Sequence, residues 1–270
     1  IHFTALFFLT LFRLVFFFSA NYDFPDQEHV GFMSIWPAFI RGVWFDNVIA
    51  CYILLIPLVA VSISALFNYY GKILWNVTCI FFSLFYGIVL LVTAANIPYF
   101  QYFFKIINSS VFNWFGYMNT TAGMVFGETS YYPPLIGFLL TLVLFIWLMR
   151  RLIRHFQRLL NTKNPSVFWL DRIYIFLTAG ICIGLCLFGI RGRTGYNPIK
   201  VSAAYYCTDP FLNQLGISPV FNLLSSTLDD SRKENRYLHL MPENEALENT
   251  RHYLNRPGIE GISPIARQIN

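Results

Sequence analysis

A chain of 270 residues in which 56% are hydrophobic, 19% aromatic and only 12% charged is too apolar for a soluble globule and has the composition of a polytopic membrane protein. Its formal net charge of +5 does not point to nucleic acid, because the basic residues gather at the ends of apolar runs and no nucleic-acid module is present. Cys51, Cys79, Cys182 and Cys186 all fall inside apolar runs, which excludes a disulfide framework and a CxxC metal site.

The predicted fold is all-α. A five-transmembrane-helix bundle occupies residues 1–190, an extracytoplasmic juxtamembrane segment follows over 191–228, and a helical linker over 229–270. Residues 3–20, FTALFFLTLFRLVFFFSA, are long enough to cross a bilayer, and Phe18 stands where a cleaved signal peptide needs a small residue. Arg13 is the exception within this span, since a charge there costs on the order of 3 kcal/mol unless it snorkels or pairs. Asp46, at the start of the second span, is the expected partner.

Residues 21–47 carry Asp23, Asp26, Glu28 and Asp46 against Arg41 alone, so this stretch reads as an outer loop. The second span is expected over 48–67 with a kink near Pro57, an inner turn over 68–72 and the third span over 73–95. Residues 98–107, PYFQYFFKII, are too short to cross and too aromatic for a free loop, and are expected to lie in the outer interface. The fourth span, 133–149, continues as a basic extension to Lys163 with Arg150, Arg154 and Arg158 every four residues on one face. Such an extension belongs on the cytoplasmic side beside anionic lipid. A fifth span over 169–190, entered by Asp171 and Arg172, then places everything from Arg191 onward outside.

Arg191 and Arg193 alternate with Gly189, Gly192 and Gly195 directly after this span. They either anchor the span end or present guanidinium groups to phosphate. Phe211, Leu212 and Leu215 follow, then Ser218 and Pro219 open a helix expected to lie on the membrane surface. Beyond a charged linker, residues 242–254 form one more helix, and the last dozen residues read as an extended connector toward a further domain.

Residues 1–270 contain no HExxH, no GxSxG, no phosphate-binding loop and no metal-binding cluster, and their five histidines are scattered over different spans and loops. No catalytic or metal-ligating residue is assigned. The order of parts is informative nonetheless: RGVWFD (41–46), NIPYFQYFF (96–104), GETSYY (127–132) and RGRTGYNPIKVSAAYYCTDPFLNQLGISPVFNLL (191–224) flank the spans. This arrangement resembles the membrane region of the lipoteichoic acid synthase-type family, membrane sulfatase-like proteins of the alkaline phosphatase superfamily.

The resemblance implies a bacterial cytoplasmic-membrane protein whose extracytoplasmic catalytic domain, expected downstream of residue 270, uses a metal-activated Thr or Ser nucleophile. Such a domain moves phosphoglycerol or phosphoethanolamine, or hydrolyses sulfuric esters, and its divalent metal is manganese, magnesium or zinc. The implied partners are that domain and an anionic phospholipid headgroup, with Arg41, Arg191 and Arg193 as the expected headgroup contacts. Alone, residues 1–270 are expected to catalyse nothing. The competing reading, a small transporter or channel subunit, is disfavoured by the absence of an internal repeat and of matched interrupted spans.

Overall fold

The computed structural model of the protein describes residues 1–20, 32–67, 71–161, 169–232 and 241–254. In chain order the helices are α1 (His2–Ser19), α2 (Phe32–Leu66), α3 (Lys72–Phe103), α4 (Met118–Gly127), α5 (Tyr132–Asn161), α6 (Trp169–Arg191), α7 (Pro210–Leu215), α8 (Pro219–Ser231) and α9 (Glu243–Leu254). Helix makes up 86% of the structure, with no strand among the described residues. Five helices, α1, α2, α3, α5 and α6, are long and apolar enough to cross a membrane. That is the economical solution for such runs, because a helix satisfies its own backbone hydrogen bonds where no water is available.

In the first compact unit, Ile1–Thr227, α2 packs along α6 and α3 along α5, with α1 against α2, α3 and α5. The contacts are largely aromatic. Phe145 of α5 meets Phe8 of α1 at 6.0 Å and Tyr86 of α3 at 5.2 Å between ring centroids, both edge-on. Toward one end of the bundle, Phe16, Phe100 and Phe211 form a triangle with centroids 5.0 to 5.8 Å apart, joining α1, α3 and α7.

Two helices are too long for a simple crossing. At 1.5 Å per residue, the 35 residues of α2 span about 52 Å and the 32 of α3 about 48 Å, against a hydrocarbon core of roughly 30 Å. The surplus lies where residues 189–222 fold over the bundle, and this is called the capped end below.

Several expected boundaries are corrected by this arrangement. From Phe32 onward, the loop expected over 21–47 is helix, because Arg41 and Asp46 find partners inside the protein and do not need water. The interfacial segment expected over 98–107 is mostly α3 itself, which runs through Pro98 to Phe103 and is capped by Phe104 in the left-handed region at φ 53°. α2 is likewise continuous through Pro37 and Pro57. Bundle packing tolerates the lost donors.

The segment over 191–228 is not a separate layer either. Phe221 of α8 packs on Phe45 of α2 at 4.8 Å, Val220 is buried, and Asn222 Nδ2 donates to the Ile107 carbonyl at 2.9 Å. The first turn of α8, with Val220 and Phe221, therefore packs against protein, while Leu224 and Leu228 stay exposed. The second unit, Leu228–Asn270, holds the last residues of α8 and the α9 helix. Asp23, Asp26 and Glu28, the turn at 68–70, residues 162–168 with Lys163, the linker over 233–240 and the connector over 255–270 lie outside the described residues.

Candidate functional site

The capped end is organised by a charge that the bilayer would not tolerate alone. Arg13 of α1 and Asp46 of α2 are 5% and 1% exposed, so neither reaches solvent by snorkelling. Arg13 Nη1 donates to Asp46 Oδ2 at 2.6 Å, and Arg13 Nε donates to the Leu215 carbonyl at the end of α7 at 3.0 Å. The guanidinium lies flat over Gly42, where a Cβ would stand 2.2 Å from Cζ. Glycine at this position is what lets α1 bring its arginine against the α2 backbone.

Directly before Gly42 on α2, Arg41 faces the returning chain. Its guanidinium lies 4.4 Å over the Tyr206 ring, Nε donates to the Ala203 carbonyl at 3.3 Å, and Nη1 approaches the Pro37 carbonyl at 3.5 Å. Burial pushes the Tyr206 phenol above its ordinary range and outweighs the opposing pull of Arg41. The hydroxyl therefore keeps its proton and donates to the Ser34 carbonyl at 2.6 Å.

Asn213 of α7 holds the other side of this turn. Its Oδ1 accepts from the Tyr206 and Cys207 amides at 2.9 and 3.3 Å, while Nδ2 donates to the Cys207 carbonyl at 2.7 Å. α7 is started by the Asp209 side chain, which accepts from Leu212 N at 2.9 Å with Pro210 at the first position. Asn213→Asp is isosteric but loses the donor and buries a charge. It is expected to lower the thermal unfolding midpoint in detergent by several degrees, through about 1–3 kcal/mol per unsatisfied group. An unchanged midpoint would show that the turn is held by packing alone.

The arginine-glycine segment closes against the same helix. Gly192 takes φ 73°, a Cβ there would meet Ile199 at 2.7 Å, and its carbonyl accepts from the Trp44 indole of α2. Arg191 turns back to donate to the Gly195 and Tyr196 carbonyls. Arg193 donates through Nε to the Asn197 carbonyl at 2.6 Å. Nη1 and Nη2 of Arg193 have no partner among the described residues, so of the three expected headgroup arginines it keeps the most donor capacity. Arg41 and Arg191 each spend two nitrogens on protein carbonyls.

Between the end of α3 and the start of α5 lies a cavity of about 610 Å³ lined by Leu91, Tyr99, Trp114, Tyr131, Leu135 and Phe138 among others. Its size is that of a small-ligand pocket and its wall is almost wholly apolar. Lys105, just after the end of α3, is exposed. The strap over 104–109 is fixed from below by Asn96 Oδ1, which accepts from Ile107 N at 3.0 Å, and from α7 by Gln214 Oε1, which accepts from Ile106 N at 3.2 Å.

The described residues contain no group of three or more His, Cys, Asp or Glu able to hold a metal ion. Fold and site together define an all-helical, multi-pass membrane architecture with a protein cap over one end of its spans. No family model, curated protein or solved structure matches this chain. Sequence reasoning missed Tyr206, Asn213 and Gly42. Only α7 had a legible signal, the Asp209–Pro210 pair at its start.

Proposed function

We infer that this chain is the membrane anchor and lipid-headgroup-positioning region of an extracytoplasmic sulfatase-like enzyme. That enzyme transfers phosphoglycerol or phosphoethanolamine, or hydrolyses a sulfuric ester. One observation carries the reading: the four stretches on which the family resemblance rests, far apart in sequence, meet at the capped end. RGVWFD bonds to 191–224 through Arg41 and Trp44; 191–224 meets the stretch after the third span where Phe211 packs on Phe100; and that stretch and GETSYY contribute Tyr99 and Tyr131 to the same apolar cavity. An apolar cavity suits an acyl chain and the spare donors of Arg193 suit a phosphate, the two chemistries that a phospholipid combines. Arg41 acts there as a positioning residue, fixing the 203–206 backbone.

The capped end is assigned to the extracytoplasmic side and the basic end of α5 to the cytoplasm. In a cysteine-free background, an impermeant thiol reagent added to intact cells is expected to label a cysteine at Asn119 and spare one at Asn161. Phosphatidylglycerol carrying a photoreactive headgroup is expected to cross-link within residues 191–206, several-fold less in Arg193→Gln. Labelling of the reverse pattern, or cross-linking indifferent to Arg193, would overturn the assignment. Solute flux through proteoliposomes of this chain would favour the transporter reading.

A further inference from the structure

A second cleft lies at the opposite end of the bundle, between α1 at Thr4 and the last turns of α5, with a volume of about 1190 Å³. Its inner wall is apolar, with Val143, Ile146 and Leu148, and its rim carries Arg150, Arg151, Arg154 and Arg158. All four arginines are exposed and none has an ion-pair partner among the described residues. Arg151 sits over the Trp147 ring, its Cζ 5.4 Å from the ring centroid. Between Glu128 and Asp209 the sequence has a single acid, Asp171, against six Lys or Arg side chains in 150–172.

Such an arrangement is unfavourable by itself. Like charges four residues apart on a helix repel by about 0.2–0.5 kcal/mol per pair, and Arg150, Arg154 and Arg158 stack three of them along about 12 Å of axis. Orienting the span needs positive charge but not this geometry, since lysines spread around the helix would serve. What the geometry adds is a row of planar forks above an apolar wall that is continuous with a membrane-crossing helix.

We propose that this cleft is a binding site for one anionic phospholipid, its phosphate held by Arg150, Arg154 and Arg158 and an acyl chain lying along Val143 and Ile146. A water-soluble polyanion would match the rim and leave the apolar wall without a partner. The charge of the rim selects anionic over zwitterionic headgroups, and the wall selects a lipid over free phosphate. The site is independent of the function inferred for the capped end.

The test uses the full chain reconstituted with phosphatidylglycerol carrying a photoreactive acyl chain, with cross-links mapped to peptides. Labelling is expected to concentrate within residues 143–158. Unlabelled phosphatidylglycerol should compete, and neither phosphatidylcholine nor inorganic phosphate should. Replacing Arg150, Arg154 and Arg158 together by glutamine is expected to cut this labelling at least about tenfold, given roughly 1 kcal/mol per basic residue near anionic lipid. Because that variant also weakens the orienting charge, the lysine triple variant is decisive: it keeps the charge and removes the forks, and is expected to lose labelling several-fold.

Full labelling of the lysine variant, or equal competition by phosphatidylcholine, would reduce the site to diffuse attraction and overturn the proposal. Competition by inorganic phosphate would overturn it in favour of a soluble anion. Cross-links within 191–206 report on the capped end alone, so failure at either end is separately visible.

Discussion

Arg13→Ala is expected to cost about 3–5 kcal/mol of folded stability, because it leaves Asp46 charged, 1% exposed and without its partner. Asp46→Ala should cost as much, stranding a guanidinium that retains only the Leu215 carbonyl. The double variant should lose far less than the sum, since removing both charges removes the desolvation penalty along with the attraction. A methionine and leucine pair at the two positions, close to the original volumes, should come nearer still to the parent. Folded yield by size-exclusion chromatography in mild detergent, with thermal unfolding of what is recovered, measures all four. Simple additivity would mean that the two groups do not depend on each other, whatever their 2.6 Å separation suggests.

The second large effect runs against helix propensity. Glycine in a helix interior is ordinarily about 0.5–1 kcal/mol worse than alanine, so Gly42→Ala would be a routine stabilising change if α2 stood alone. Here the added methyl would fall 2.2 Å from Arg13 Cζ and Nε and 2.5 Å from Nη1. The guanidinium cannot retreat without giving up both Asp46 and the Leu215 carbonyl. We expect Gly42→Ala to lower folded yield to the level of Arg13→Ala. In the Arg13→Ala, Asp46→Ala background the same substitution should be neutral or stabilising. A loss of equal size in both backgrounds would locate the clash elsewhere.

How much of this was legible follows from what each residue needs. Apolar runs announce their own helices, and a lone arginine within one announces that something must meet it, which is why Arg13 and Asp46 are visible as a pair from the sequence. The second helix was cut short because Arg41 and Asp46 look like loop residues when only water is imagined around them. Arg41 finds its carbonyl at Ala203 and Asp46 its guanidinium at Arg13, separations that local periodicity cannot register. The third helix was likewise ended too early, because its aromatic continuation over 98–103 looks like interface when the packing around it is not visible. Asn213 gave no signal at all, since a buried amide bridging two backbone amides and a carbonyl looks in sequence like any turn residue. For the arginines proposed as headgroup contacts, the sequence did not reveal the geometry: Arg191 and Arg193 fold back on their own loop.

The Arg13 site also sets a timetable for biogenesis. Its carboxylate partner is 33 residues downstream and its backbone acceptor 202 residues downstream. At about 5–20 residues per second, the first contact can form within seconds of Arg13 being made, whereas Leu215 arrives roughly 10–40 seconds later. Throughout that interval α1 and α2 can exist as a charge-neutralised hairpin with one guanidinium edge still unanswered, and only the returning α7 completes it. Residue 215 therefore acts as the latch of a helix pair inserted long before it, and a ribosome that stops short of it leaves the bundle open at the end where the cap belongs.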